Sequence, residues 1–196
     1  MRQGREGLRS ERTACRTFAT RSALLGLTLV ETMVVVALVS ILACLAVGPF
    51  KGLLDRNRIA GEITGFVGDL QYARSEAITR GLPVTVCASI DGVSCASANV
   101  WHSGWVVFVD HDASGVIASA TDILKGRKAW TAGDTFVSTP GVTRVTYGRD
   151  GFSLALPATV TFQAHASPAD GHSTRCVSVN RIGRQSVVGA GEEDCA

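Results

Sequence analysis

The sequence has none of the short signatures that mark a chemical centre. It contains no G-x-S-x-G nucleophile turn, no Walker phosphate loop and no Rossmann glycine fingerprint. No C-x2-C pair occurs, and no histidine stands at a zinc-like spacing from a cysteine, which argues against a structural zinc site. An internal repeat and a low-complexity tract are also missing, so nothing calls for more than one folded domain. Charge is missing locally as well. From Thr32 to Phe50 the thiol of Cys44 is the sole ionisable side chain. With Ala23–Val30 ahead of it, this apolar run is long enough for a membrane-crossing helix, which takes about 20 residues. An ordinary secretory signal has a shorter apolar core, followed by a small-x-small cleavage site, and does not fit. A single carboxylate, Glu31, stands at the start of the run. Such a group costs roughly 2.5–3.5 kcal/mol at the centre of a membrane helix, so it reads as functional by default.

The formal net charge of +2 hides an asymmetry. Residues 1–26 hold Arg2, Arg5, Arg9, Arg12, Arg16 and Arg21 against Glu6 and Glu11, a local charge of +4. Positive residues beside an apolar span stay on the cytoplasmic side, which predicts that the C-terminal part lies outside. From Lys51 to Ala196 the balance is −1, which weakens any reading built on bulk attraction to nucleic acid. Of the six cysteines, Cys15 precedes the span and Cys44 lies in it. The remaining four, Cys87, Cys95, Cys176 and Cys195, would face an oxidising compartment, where disulfides persist. Four cysteines permit three connectivities. Local loops rich in Gly, Ser, Ala or acidic residues favour Cys87–Cys95 and Cys176–Cys195.

Along the chain, Gly48-Pro49 predicts a kink or local loosening. Helical spacing then continues through Ile59, Ile63, Phe66, Val67, Leu70, Ala73, Ala77 and Ile78, and should stop at Gly81 ahead of Leu82-Pro83. Short β-type runs follow. They are Val84–Ala88, Trp105–Val109, Val142–Tyr147, Phe152–Leu156, Thr159–Gln163, Arg175–Val179 and Gln185–Val188. This predicts an α+β chain with a long helix covering an antiparallel sheet or two small sheets. Its segments are 1–26 as a leader, 27–50 as a transmembrane helix, 51–82 as its amphipathic continuation and 83–196 as a β-rich domain.

Gly26-Leu-Thr-Leu-Val-Glu31, after a basic segment and before an apolar run, resembles the processing site of type IV prepilins and type II secretion pseudopilins. The resemblance implies cleavage between Gly26 and Leu27 by a membrane aspartyl peptidase, and N-methylation of Leu27. Most of the family begins with Phe, and Leu27 departs from that conservatively. It also implies that Glu31 aligns the subunit with a neighbour's N-terminal amine, a pairing that makes a carboxylate in lipid tolerable. Ala73-Arg-Ser-Glu-Ala-Ile-Thr-Arg-Gly81, Val84-Thr-Val-Cys87 and Gly104-Trp-Val-Val-Phe-Val-Asp110 resemble the GspH/FimT family of minor pseudopilins more specifically. The family implies a pilin-like fold and a structural, non-catalytic role without cofactors. The implied location is the inner membrane, N-terminus cytoplasmic, with the domain periplasmic. The implied partners are other minor and major pilins or pseudopilins, the prepilin peptidase, an inner-membrane assembly platform and inner-membrane lipid. The type IV pilus is the favoured setting; type II secretion is the alternative.

Four polar groups remain. Asp110-His-Asp112-Ala-Ser114-Gly115 mimics the opening of a calcium loop, but Thr121 stands where that loop needs a bidentate glutamate, so a polar turn is expected beside His102 and His111. His165 and His172 have no nucleophile or acidic partner at a recognisable spacing, and neither a metal site nor an active site is expected. Some FimT-like relatives contribute to DNA uptake through a C-terminal G-R-x-R motif. Gly183-Arg184-Gln185-Ser186 keeps the first arginine and replaces the second by serine. Arg181 and Arg175 would extend the edge, and Glu192, Glu193 and Asp194 would oppose it if a disulfide folds the tail back. Lys125, Arg127 and Lys128 form a second basic cluster ahead of Trp130. Weak DNA binding, led by Arg184 and then Arg181, is the expectation.

Overall fold

The computed structural model describes residues 28–154, 156, 158–167, 173–192 and 195, with the side chains of residues 45–49 left out. Gly26 and Leu27 therefore lie outside the described residues. Helix α1, Leu29–Arg80, has 52 residues. Its start is capped by Thr28, whose Oγ1 accepts the Glu31 N–H at 3.2 Å, and Glu31 sits in the first turn, where the helix dipole favours an acid. Its end is set by Gly81, which takes φ +68° and donates its N–H to Ala77 O at 3.0 Å. The helix runs on through Gly48 and Pro49, so the loosening expected there does not end it.

The chain divides after Leu45 into two units. In the first, every large apolar side chain from Leu29 to Leu42 is more than half exposed. Among the described residues no helix is long and apolar enough to cross a membrane.

In the second unit, from Ala46, the helix packs on two antiparallel sheets. The strands are β1 (Val84–Ala88), β2 (Trp105–Val109), β3 (Ile123–Arg127), β4 (Thr135–Thr139), β5 (Arg144–Tyr147), β6 (Ser153–Leu154), β7 (Thr159–His165), β8 (Arg175–Asn180) and β9 (Gln185–Gly189). The first sheet has the order β3-β2-β1-β5-β6 and the second β4-β7-β8-β9. Strands β3 and β4 were not expected. Ile123-Leu-Lys-Gly-Arg127 has a glycine and two charges and is partly or fully exposed throughout, so it lacks an apolar alternation to read. Thr135-Phe-Val-Ser-Thr139 buries two side chains, and one of them is Ser138.

One core joins the helix and both sheets. Ile59, Ile63, Phe66, Leu70, Ala73 and Ala77, spaced four and three apart, form the buried stripe of α1. Val84, Val86, Trp105 and Val107 meet it from the first sheet, and Phe136, Phe162, Val177 and Val179 from the second. Strands β1 and β2 are buried on both faces. Cys87, Val106 and Phe108 point the other way, under a cluster completed by Cys95, Ile117 and Ile123, which explains the unbroken apolar run of β2. Cys87 is bonded to Cys95 and Cys176 to Cys195, each pair with Cα atoms 5.5 Å apart. Cys44 is free and exposed.

Candidate functional site

The two arginines picked out by sequence stand at the tip of the β8–β9 hairpin. Gly183 N–H donates to Asn180 O at 2.9 Å, and Arg184 N–H donates to Asn180 Oδ1 at 2.9 Å, which closes the turn. Arg181 and Arg184 are left exposed on it, and Ser186 follows on exposed strand β9. A second turn meets this tip. Gly148 N–H donates to Phe152 O at 2.9 Å, and Ser153 N–H donates to Arg181 O at 2.9 Å, so the β5–β6 and β8–β9 turns are bonded to each other. The contact is tight enough to need glycine. Gly183 has φ +75°, and a Cβ there would lie 2.6 Å from Gly151 O.

Arg74 of α1 is wedged against this junction, with its Nη1–H donating to Gly183 O at 3.1 Å. Arg149 sits exposed in the β5–β6 turn. The result is a corner of four arginines, Arg74, Arg149, Arg181 and Arg184, drawn from three separate stretches. Sequence reasoning found the two that share a turn. It missed Arg74 and Arg149, because only the docking of the helix end against two turns brings them close. A groove of about 370 Å³ opens beside Arg74 and Arg184, lined also by Gln71, Ser75, Ile78 and Gln185. Below it, Tyr147 accepts a hydrogen bond from Gln185 Nε2 at 3.0 Å. Burial pushes the Tyr147 hydroxyl up to about 12, against the smaller opposing pulls of the Gln185 bond and the Arg74 charge.

Glu192 does not oppose this corner. The Cys176–Cys195 bond ties the tail to the start of β8, and Glu192 N–H donates to Gly189 O at the far end of β9. At about 3.4 Å per residue, the five-residue strand β9 keeps the two ends roughly 17 Å apart. Glu193 and Asp194 lie outside the described residues. The Lys125 and Arg127 cluster is not a free basic patch either. Lys125 Nζ stands 2.5 Å from Asp69 Oδ1 and Arg127 Nε 2.9 Å from Asp69 Oδ2, so the two cations share one carboxylate, and Lys128 is left exposed.

The Asp110–Gly115 segment forms a polar turn. Asp110 Oδ2 accepts from Thr85 Oγ1 at 2.6 Å and from Gly115 N–H at 2.9 Å, and Asp112 Oδ1 accepts from Ser114 N–H at 3.2 Å. Hydrogen bonds from the Ser114 hydroxyl, the leading cause, and from the Ser114 N–H hold the Asp112 carboxyl below its usual range. Thr121 bonds Ser119, and His111 lies 3.5 Å from Asp122. Among the described residues no group of three or more His, Cys, Asp or Glu side chains is placed to hold a metal. His102 faces Phe136 O at 3.4 Å and His165 faces Thr174 Oγ1 at 3.0 Å. His172 lies outside the described residues. Trp130 stacks on Phe136, with ring centroids 4.6 Å apart. Glu31 is exposed, and its carboxylate has no partner among the described residues.

Residues 62–183 match the model of the family described as type II transport protein GspH. Among solved structures, the type IV minor pilin FimU of Pseudomonas aeruginosa is similar in two crystal forms. One gives 23% identity and a TM-score of 0.58 over 74% of this chain and 99% of that one. The other gives 24% and 0.52 over 68% and 96%. The minor pseudopilin EpsH from the type 2 secretion system of Vibrio cholerae gives 14% and 0.48 over 69% and 99%. No curated protein sequence matches the chain. At these identities the FimU structures show a shared fold, while the family match spans more than half of the chain, from α1 through β8. The chain belongs to the GspH family.

Proposed function

We propose that the chain is a structural minor pilin or pseudopilin: cleaved between Gly26 and Leu27, methylated on Leu27, held in the inner membrane by residues 27–50, and packed into a pilus base or tip. The observation that carries this reading is the helix from Leu29 to Leu42. It exposes apolar side chains all round and carries one carboxylate, Glu31. A helix that is apolar on every face needs lipid or other helices around it. The type IV pilus is the preferred setting, supported by the likeness to FimU, and type II secretion, supported by the family description, is the alternative. The working partners are then other pilins or pseudopilins, the prepilin peptidase and an assembly platform.

The leader test is direct. In cells that contain the peptidase, mass analysis of the membrane form should find a chain starting at methylated Leu27, and Gly26→Val should retain the leader. An intact Met1 terminus in the unaltered chain rejects the reading.

DNA uptake is the second reading, favoured by the four-arginine corner. Binding follows the number of phosphates neutralised, with a salt slope near −0.9 for each, so four arginines give a slope no steeper than about −3.6. With a charge of −1 over residues 51–196, the expected affinity is micromolar or weaker at physiological salt. A salt titration with duplex DNA checks this. Sub-micromolar binding that disappears in Arg184→Ala would make DNA reception the better reading.

A further inference from the structure

The two sheets have four edges among the described residues, and three of them are defended. Strand β3 carries Lys125 and Arg127 and shifts register against β2 between Val107 and Phe108. Strand β6 is two residues long. Strand β4 is covered by a side chain, because Asn99 Oδ1 accepts the Ser138 N–H at 2.9 Å while Asn99 Nδ2 donates to Ser138 O at 2.8 Å. Charges, shortness, bulges and covering are the usual ways in which proteins prevent an edge from pairing with another strand.

Strand β9 has none of them. Gln185-Ser-Val-Val-Gly189 contains no charge and no proline, pairs with β8 in unbroken register, and has no strand on its other side. Its face towards the core is also unfinished. Val187 pairs with buried Val177, yet is 48% exposed.

Between β9 and the helix runs a trough. Its lower part, about 380 Å³, is lined by Ala60, Ile63, Thr64, Val67, Val187 and Arg175. Its upper part is the groove beside Arg74 and Arg184. The helical residues at positions 60, 64, 67, 71, 74 and 78 repeat at spacings of three and four, so both parts lie along one stripe of α1. No carboxylate lines either part, while Arg175, Arg74 and Arg184 do.

We propose that β9 and this trough are a docking site for an extended acidic segment of another protein chain, which adds to the second sheet as a further strand. Backbone groups of the incoming strand pair with the free edge, and its alternate side chains fall into the trough, as in other cases of strand addition. Residues 185 and 187 are two apart and face the same way. An incoming strand therefore places an apolar side chain beside Val187 and, two residues along it, a carboxylate between Arg74 and Arg184. A nucleic acid uses the arginines but has nothing for the unpaired edge or the apolar lower part, so the peptide is the better fit. The inference depends on this edge alone and stands apart from leader cleavage and membrane insertion.

The test uses the full chain in detergent micelles and a blocked peptide, Thr-Thr-Val-Thr-Asp-Thr-Thr, that alternates as the site requires. The peptide should bind and slow amide hydrogen exchange in β9. Its Asp→Lys version should bind about 10-fold or more weakly, the size of one lost charge-assisted contact. Arg184→Glu should reverse the preference between the two peptides, and Val187→Lys, which arms the edge, should abolish binding of both. The proposal is overturned by an absence of peptide binding, by unchanged exchange in β9, by equal affinity for the two peptides, or by a short duplex DNA that binds through Arg184 while the peptide does not.

Discussion

Phe66→Ala is expected to lower the stability of the β-bearing unit by about 3–5 kcal/mol, the range for removing a large aromatic from a packed core. The reason is its position. The Phe66 ring is fully buried and touches four others, with centroids 5.5 Å from Trp101, 5.2 Å from Trp105, 4.9 Å from Phe136 and 4.9 Å from Phe162. Three of these contacts are edge-on, the arrangement that ring quadrupoles favour. The partners come from the short 3-10 turn Trp101–Ser103, the first sheet and the second sheet, so no single element can collapse into the space without leaving another. Thermal unfolding followed by near-ultraviolet circular dichroism checks the result. For a unit of this size, about 1 kcal/mol moves Tm by 2–4 °C, so a fall of roughly 10 °C is expected. A fall under a few degrees would mean that the ring cluster is not the keystone of the core.

The second large effect is asymmetric. Asp69 is buried and accepts from Trp105 Nε1 at 3.0 Å and from Arg127 Nε at 2.9 Å, while Lys125 meets its other oxygen. Room for the guanidinium is left by Gly65, where a Cβ would lie 2.9 Å from Arg127 Nη2. The acid is buried but the two cations are not, with side chains 45% and 40% exposed. Removing the cations strands a buried charge, whereas removing the charge leaves cations that water can solvate. Lys125→Ala with Arg127→Ala should therefore cost about 3 kcal/mol, the low end for breaking a buried pair. Adding Asp69→Asn to that double variant should recover most of the loss, because an amide oxygen still accepts from Trp105. Denaturant unfolding of the double and triple variants measures the difference. A triple variant less stable than the double would refute the argument.

That same network shows where sequence reading stops. Lys125, Arg127 and Lys128 read as a basic patch because neighbours in sequence look like neighbours in space, and Asp69, which pairs with two of them, is more than fifty residues earlier. The helix stripe, its stop at Gly81 and the strong strands were legible, because each rests on a local period or on one residue's backbone geometry. The order α1 then β was legible for the same reason. Strands β3 and β4 were not, since edge strands bury too little to impose an apolar alternation. Of the arginine corner, the half within one turn was legible. Arg74 and Arg149 were not, because they arrive there through the meeting of two turns that no spacing records.

The buried stripe of α1 also sets how the domain answers force. Ile59, Ile63, Phe66, Leu70, Ala73 and Ala77 grip the sheets along one line parallel to the helix axis. A pull along that axis loads these contacts together, in shear, and all must slip at once. A pull across the axis would part them one by one, like a zip. The β-bearing unit is therefore stiffer against a load along its helix than against one across it.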